Sequence, residues 1–219
     1  MIRRLAIDHP SLALRLLAVA DERDPALEHE ANRHALGRVD AVLGCGDLEP
    51  DYLAYLADAF NAPLLVVRGN HDRGGAWEAG RRGIATPLDG HVERVAGLAV
   101  MGLSWPGARR GRAARSELAA WRQALRAWLR SRLGGRPLVV ISHVPPRGHG
   151  DAPDDAYHTG FAGYRWLLHR LRPRLWLHGH THPAQQAGWR TQIGLTSLAN
   201  VTGAVLVELG PATGTIERT

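Results

Sequence analysis

The chain has 219 residues, a formal net charge of +6 and a sequence pI near 10.5. Its apolar fraction of 45% and charged fraction of 22% are ordinary for a globular protein, and its length predicts one domain over residues 1–219. The single cysteine excludes an intrachain disulfide and a cysteine-based metal cluster, and it is typical of a protein in a reducing cytoplasm. The positive charge, carried by arginine alone, permits an anionic partner such as a phosphate ester or nucleic acid without requiring one.

The first twenty residues combine two arginines with the apolar run SLALRLLAVA, a pattern that resembles a signal peptide. Asp8, Pro10 and Arg15 interrupt the apolar pattern, so we predict a buried strand over residues 14–20 and no signal peptide. No apolar stretch approaches the length of a membrane span, and we therefore predict a cytoplasmic protein with no membrane partner.

Apolar runs alternate with helical patterns over the first third of the chain. Asp24 followed by Pro25 is typical of a helix N-cap with proline in the first turn. The predicted strands cover 14–20 and 39–46, a third strand with its exit loop covers 63–72, and the predicted helices cover 25–36 and 50–60. Strands that alternate with helices in this way predict a parallel α/β sheet.

The middle of the chain is predicted to form a hairpin over 91–105 and an amphipathic helix over 116–133. One face of this helix carries leucines and tryptophans, and the opposite face carries arginines. We predict that the tryptophans lie in the core and that the arginines lie in solvent. A predicted strand over 137–143 is followed by a polar loop over 144–160 and a helix over 161–171. A further strand is predicted over 174–179, and at least two strands are predicted in the tail over 191–209.

Five of the predicted strands end in residues that carry oxygen or imidazole ligands. These strand ends hold Asp21, Asp47, the run Asn70-His71-Asp72, His143 and the run His180-Thr181-His182. Ligands bind at the carboxyl ends of the strands in open α/β sheets, so we expect these side chains to converge. Asp, Asn and His together suit a divalent ion such as Mn, Fe, Zn or Ni. His180 and His182 point the same way in an extended segment and can hold two neighbouring ions, which Asp47 can bridge.

The motifs GDL at 46–48, GNHD at 69–72, the histidine at 143 and GHTH at 179–182 resemble those of the calcineurin-like metallophosphoesterases. The order of the motifs matches, and the resemblance covers the chain from about residue 14 to its end. It implies a four-layer αββα sandwich of two mixed β-sheets flanked by helices. It also implies a metal-dependent hydrolase that cleaves a phosphodiester or a small phosphomonoester through attack by metal-bound hydroxide. Manganese is the favoured ion, with Fe, Zn or Ni as alternatives.

The same resemblance assigns roles to individual residues. One ion is held by Asp47, Asn70, His143 and His180. The other ion, called the first metal in the family, is held by Asp21, Asp47 and His182. His71 protonates the leaving oxygen and is steadied by Asp72. The loop over 145–161 also resembles the segment that small bacterial members carry between their last two metal motifs.

The chain departs from the family in its first motif, where Asp21-Glu22-Arg23 stands in place of Asp-x-His. A guanidinium has no lone pair for a metal, so Arg23 cannot replace the histidine. Three interpretations are open: a weakened first metal site, an oxygen ligand from Glu22 or Asp24, or an Arg23 that replaces the metal's charge and grips the substrate phosphate. We favour a retained but altered first site. Asp24 as a helix cap and Arg23 as a surface residue paired with Glu22 are the structural alternatives.

Two rival functions compete with a phosphoesterase. A binding or scaffold protein on the same fold is supported by Arg23, and the complete second-metal motif argues against it. An arginine-rich nucleic-acid binder is supported by charge alone, because no groove-reading motif is present. We further predict that Cys45 and His178 are packing residues, and that His149 and His158 belong to a solvated loop or to the substrate entrance.

Overall fold

A computed structural model of the protein describes residues 2–72, 77, 87–106, 115–135, 137–182 and 188–211. Short runs of apolar residues form eleven strands within these ranges, and the strands assemble into two mixed sheets. Helices cover the outer face of each sheet, so the four-layer αββα sandwich implied by the resemblance is confirmed. Among the described residues, no helix combines the length and the apolar composition that a membrane span requires.

The first sheet has five strands, three of which are consecutive strands of the chain. Its elements are β1 (Arg3–Asp8), β2 (Leu14–Ala20), β3 (Ala41–Gly44), β4 (Leu64–Val66) and β11 (Gly203–Gly210), in the spatial order β1-β11-β2-β3-β4. β2, β3 and β4 are parallel neighbours, as the alternation of strands and helices predicts. β11 pairs antiparallel with β2 and parallel with β1, which makes the sheet mixed.

The second sheet has six strands and holds the later motifs. Its elements are β5 (Val92–Val95), β6 (Leu98–Leu103), β7 (Val139–Ser142), β8 (Leu175–His178), β9 (Arg190–Ile193) and β10 (Thr196–Asn200), in the spatial order β5-β6-β7-β8-β10-β9. The four central strands are parallel, and the hairpin strands β5 and β9 close the two edges in antiparallel pairs.

Alternation along the strands builds the layers. Leu16 and Ala18 of β2 face the second sheet, whereas Leu17 and Val19 face the helices on the other side. Because both faces of β2 are buried, the strand reads as a continuous apolar run.

Four α-helices and one 3₁₀ helix lie among the described residues. They are the 3₁₀ helix Pro25–Glu28, α1 (Glu30–Leu36), α2 (Pro50–Phe60), α3 (Glu117–Gly134) and α4 (Ala162–Leu171). The helix predicted over 25–36 is therefore divided at His29, whose backbone is extended. The expected cap is confirmed, since the Asp24 carboxylate accepts the backbone N–H of Ala26 at 2.9 Å.

The orientation of α3 differs from the prediction. Ala120, Ala124 and Ala127 are fully buried, whereas the Trp121 side chain is 40% exposed. Small residues face inward because α3 and α4 pack closely: a Cβ at Gly163 would lie 3.1 Å from the Trp121 backbone. The prediction that the tryptophans of this helix lie in the core is therefore wrong for Trp121.

Candidate metal centre

Three of the predicted site residues sit on sharp backbone turns at the strand ends. Asp21 follows β2, Asp47 follows β3 and His180 follows β8, and their φ angles are +61°, +56° and +67°. Residues other than glycine rarely adopt this left-handed region of φ, and residues strained in this way cluster at functional sites. The turns aim all three side chains into the space above the sheet edges.

Glycine lets these turns approach one another. Gly46 has a φ of +97°, and a Cβ there would lie 2.6 Å from Nδ1 of His143 and 2.7 Å from the backbone nitrogen of Gly69. Any side chain at position 46 would therefore push the loop over 46–48, called the GD loop, away from the loop over 69–72, called the GNHD loop. The close packing of the two loops brings Asp47 and Asn70 to the same imidazole.

The His143 ring is the centre of the site. Its Nδ1 lies 3.0 Å from the carbonyl oxygen of Cys45, so Nδ1–H donates to that carbonyl and Nε2 faces the opposite way. Nε2 lies 2.8 Å from Oδ1 of Asn70 and 3.2 Å from Oδ2 of Asp47. A ring nitrogen, an amide oxygen and a carboxylate oxygen thus meet at one point, which is the ligand chemistry that a divalent ion requires.

The orientation of Asn70 is fixed from its other end. Its amide nitrogen donates to the Tyr157 hydroxyl at 2.8 Å, which leaves Oδ1 directed at His143. Asn70 and His143 are both buried, with exposed fractions of 2% and 0%. The side chains that would hold an ion are therefore already held in position by the protein.

Asp21 completes the group. Ligand atoms of Asp21, Asp47 and His143 all lie within 4.8 Å of one another. The Asp21 carboxylate accepts the backbone N–H of His180 at 3.0 Å and the Thr202 hydroxyl at 2.7 Å. Burial raises the pKa of Asp21 despite the neighbouring His143, so a cation beside this carboxylate would relieve an unfavourable buried charge.

Asp47 and His143 shift one another's pKa in opposite directions. Burial acts to raise the pKa of Asp47, but the hydrogen bond and charge of His143 outweigh it and the net shift is downward. Burial acts to lower the pKa of His143, but Asp47 and Asp21 raise it to about 9. Without an ion, the proton on His143 therefore takes the place of a cation between the two carboxylates.

Asp72 anchors the backbone around the site. Its carboxylate accepts N–H groups from Asp47 at 2.8 Å, Gly69 at 2.7 Å and the Trp77 indole at 3.0 Å. Burial, together with the charge of Asp47, raises its pKa to about 6. These contacts tie the GD loop to the GNHD loop, whereas the resemblance assigned Asp72 to the His71 ring. His71 lies exposed at the rim, and its backbone N–H donates to Asp47 at 2.8 Å.

His180 lies beside the gathered ligands. Its ring centroid is 4.9 Å from that of His143, and its Nε2 is 3.1 Å from the carbonyl oxygen of Tyr157. Burial and the charge of His143 lower the pKa of His180 to about 3, so the ring is neutral. Since Nε2–H donates to Tyr157, Nδ1 carries the lone pair that could bind an ion.

The structure does not bring His182 into this group. Its side chain is 56% exposed, and its Nε2 lies 4.0 Å from a carboxylate oxygen of Glu22. The half of the site around His182 is therefore more open than the half around His143. Glu22 lines the same cleft as Asp21, so it is a second acidic residue of the first motif beside the predicted first metal.

Arg23 turns away from the cleft. Its Nε donates to Glu49 at 3.3 Å, and its guanidinium lies 5.1 Å from the centroid of the Tyr52 ring. Arg23 thus pairs with Glu49, and the expected pairing with Glu22 is wrong. Arg23 is also not among the residues that line the cleft, and its contact with a substrate phosphate stays a prediction.

A cleft of about 440 Å³ opens above the gathered ligands. Its lining residues are Asp21, Glu22, Asp47, Asn70, His71, Tyr157, His158, His180, Thr181, His182 and Thr202. Sequence reasoning missed Tyr157 and Thr202. The resemblance of the 145–161 loop to a family segment was the available signal for Tyr157, whereas no local pattern marks Thr202.

The fold and the gathered ligands define a class: an α/β sandwich with a candidate metal centre at the carboxyl ends of its strands. The particular family follows from comparison with known proteins. The profile of the calcineurin-like phosphoesterase family matches residues 19–184, and the chain belongs to this family. None of the curated proteins compared with the chain matches it.

Two solved structures, one from Thermus thermophilus and one from Plasmodium, show the same fold at low sequence identity. The protein TT1561 of Thermus thermophilus is 18% identical with a TM-score of 0.60, over 88% of this chain and 90% of that one. GAP50 of Plasmodium, described as an anchor in the inner membrane complex, is 15% identical with a TM-score of 0.50, over 88% and 72%. A predicted phosphoesterase of Streptococcus pneumoniae is 17% identical with a TM-score of 0.40, over 88% and 74%.

Proposed function

We propose that the protein is a metal-dependent hydrolase of a phosphodiester or a small phosphomonoester. One observation carries this proposal. Nδ1 of His143 is fixed by the Cys45 carbonyl, while Nε2 meets the oxygens of Asn70 and Asp47. A histidine fixed through one nitrogen so that the other faces two oxygen ligands is the arrangement of a metal site.

The residues present fit a divalent ion. Asp47, Asn70, His143 and His180 would hold one ion, and Asp21, Asp47 and His182 would hold the ion called the first metal in the family. Glu22 lies beside His182 and would add an oxygen ligand to the open side of this first metal site. Carboxylate-rich sites favour a harder ion, so manganese is our first choice. When bound, a divalent ion polarises a phosphoryl oxygen and lowers the pKa of water in the site.

The remaining residues of the cleft have roles of their own. His71 stands exposed at the rim, where its ring would protonate the oxygen of the leaving alcohol, because an alkoxide leaves poorly. Asp72 holds the loop that carries His71 through its bond to the Gly69 backbone. Tyr157 fixes the Asn70 amide and, with His158, lines the same cleft as His71.

The substrate class follows from the charge and size of the cleft. A cleft of about 440 Å³ accommodates a small ester, and the net charge of +6 attracts an anion. We place this activity in the cytoplasm, since the one cysteine is buried and cannot form an intrachain disulfide.

A scaffold function is the second candidate, and two contacts favour it. Arg23 pairs with Glu49 outside the cleft, and His182 pairs with Glu22 at the rim. A protein that binds partners through this fold needs neither a complete first metal site nor turnover.

Metal content and turnover measured together test the proposal. We expect purified protein supplied with Mn²⁺ to hydrolyse bis(p-nitrophenyl) phosphate. Asp47→Asn removes the charge of the bridging carboxylate, which should lower the rate about 10³-fold, or roughly 4 kcal/mol, and lower metal content. Asp51→Asn is the matched control, because Asp51 is exposed on α2 and should leave both unchanged. Metal-loaded protein that is inert on generic diesters and monoesters would support the scaffold instead.

A further inference from the structure

Helix α3 presents an apolar ridge to solvent. The ridge consists of Leu118, Trp121, Leu125, Leu129 and Leu133, whose exposed fractions lie between 40% and 92%. Their spacing places them in one continuous stripe along the helix. Monomeric proteins rarely leave such a stripe in water, so a partner surface is expected to cover it.

Tryptophans extend the ridge towards α4. The Trp166 ring centroid lies 5.7 Å from that of Trp121 and 5.9 Å from that of Trp128. Arg132 stacks on Trp128 and Arg170 stacks on Trp166, each 5.7 Å from the ring centroid. An indole with one side packed and one edge in water suits a boundary between water and hydrocarbon.

Arginines border the ridge on both sides. Helix α4, which Trp121 and Trp128 contact through Trp166, supplies the arginines of one side, and α3 itself supplies the others. The exposed arginines of the two helices are Arg122, Arg126, Arg130, Arg132, Arg165 and Arg170. Glu117 is the one acidic residue within the two helices, both of which the structure describes, and its carboxylate is paired with Arg147. The ridge and its borders therefore carry apolar area and positive charge together.

We propose that the α3 ridge docks the protein on an anionic lipid surface. The leucines would enter the boundary between headgroups and acyl chains, and the arginines would contact the lipid phosphates. This arrangement keeps the protein on the membrane surface and does not take it across the bilayer, and it replaces the sequence-based prediction of no membrane partner. The inference is independent of the proposed phosphoesterase activity.

Charge and shape favour lipid over a second copy of the chain. Two copies joined ridge to ridge would bring their arginine borders together, and like charges that face one another destabilise an interface. The ridge also consists of side chains that project from one helix into solvent, whereas a peptide-binding surface is a groove. An extended anionic surface complements both features.

Vesicle sedimentation tests the proposal with the full chain. We expect binding to phosphatidylcholine vesicles that contain about one third phosphatidylglycerol, at least tenfold stronger than binding to pure phosphatidylcholine. Raising NaCl from 0.1 to 0.5 M should weaken binding, because salt screens the arginines. Binding that is equal for both vesicle types, or absent at low salt, would overturn the proposal.

Variants connect binding to the ridge. The double change Leu125→Glu and Leu129→Glu should reduce binding at least tenfold, since carboxylates replace apolar area and oppose lipid charge. Leu195→Glu is the matched control, because Leu195 is 68% exposed in the turn between β9 and β10. Arg122→Gln with Arg126→Gln should also weaken binding. Arg33→Gln with Arg38→Gln, on or beside α1 in the opposite helix layer, should not.

A spectroscopic measurement covers the case in which a glutamate variant does not fold. Brominated lipids in anionic vesicles should quench wild-type tryptophan emission, and the conservative double change Trp121→Phe with Trp128→Phe should remove most of that quenching. Wild-type tryptophan emission that brominated lipids leave unchanged would overturn the proposal. A dimer of the wild-type protein in light scattering that the Leu125→Glu and Leu129→Glu double change dissociates would also overturn it, because a second copy would then cover the ridge.

Discussion

The two halves of the candidate metal centre differ in how firmly the protein holds them. Around His143, the His143 and Asn70 side chains are buried and each is bonded to another group: Nδ1 of His143 to the Cys45 carbonyl and the Asn70 amide to Tyr157. Around His182, the imidazole is 56% exposed and its carboxylate neighbour Glu22 is 4.0 Å away. Burial and hydrogen bonds, more than the presence of ligand-type residues, therefore hold side chains in position for an ion.

The first motif explains part of this difference. In the family the residue at position 23 is a histidine, and here it is an arginine that packs on Tyr52 and pairs with Glu49. By comparison with the family motif, one half of the proposed site lacks a ligand, whereas all four residues proposed for the other half are present in the sequence. Asp21 is nevertheless fixed by Thr202 and by the His180 backbone, so the open half retains one prepared carboxylate.

The largest expected effect on turnover and metal content comes from replacing one histidine by glutamine in each half of the site. His143→Gln should lower turnover about 10³-fold and remove the tightly bound ion, because a buried ligand is lost and the Cys45 carbonyl loses its donor. His182→Gln should lower turnover only about tenfold, since that half is open and partly served by water. Metal analysis and kcat with bis(p-nitrophenyl) phosphate measure both.

The matched control for these two variants is His34→Gln. His34 is a histidine on the outer face of α1 with 79% of its side chain exposed. It should leave metal content and turnover unchanged. Equal losses in His143→Gln and His182→Gln would contradict the difference between the halves.

A smaller effect is expected from restoring the family motif. Arg23→His should tighten binding of the weaker ion about tenfold, the size of effect commonly found for residues that support a metal site. Arg23→Gln is the control, because it also removes the pair with Glu49 but offers no imidazole. An exposed ion pair contributes about 0–1 kcal/mol, so the free energy of unfolding should change little in either variant. Calorimetric titration with Mn²⁺ measures the affinity, and identical affinities in the two variants would place position 23 outside the site.

The smallest effect concerns the packing beneath Arg23. Burial raises the pKa of Tyr52 to about 12, above its ordinary value of 10. Because the pKa is raised in the folded state, stability from the neutral phenol is present below pH 10 and is lost as the pH rises towards 12. Tyr52→Phe keeps the ring and removes the ionising group. The variant should lose less stability than wild type between pH 10 and 12 in urea unfolding, and parallel losses in both proteins would show that Tyr52 does not ionise with unfolding.

Much of the fold could be predicted from the sequence. Apolar runs and helical spacing indicate the strands at 14–20 and 98–103 and the helix at 50–60. β1 was missed, since its burial is interrupted by exposed residues and its partner β11 lies some 200 residues away in the chain. Local pattern carries no information about so distant a pairing.

The helix at α3 shows where pattern alone misleads. Its spacing predicts an amphipathic helix with its tryptophans in the core, whereas the structure buries its alanines. The close approach of Gly163 to Trp121 selects small residues for the buried face. Which face of a helix is buried depends on how near its neighbour lies.

The sequence by itself determined the family, the order of the motifs and the set of residues that could bind an ion, because those depend on residue type and on strand ends. Only the tertiary structure decided which ligands meet. The glycines at 46 and 69 let two loops touch, Cys45 and Tyr157 orient His143 and Asn70, and Arg23 contacts Glu49 instead of the cleft. Contacts of this kind join residues far apart in the chain, so geometry and burial, which no local spacing encodes, fix the chemistry of the site.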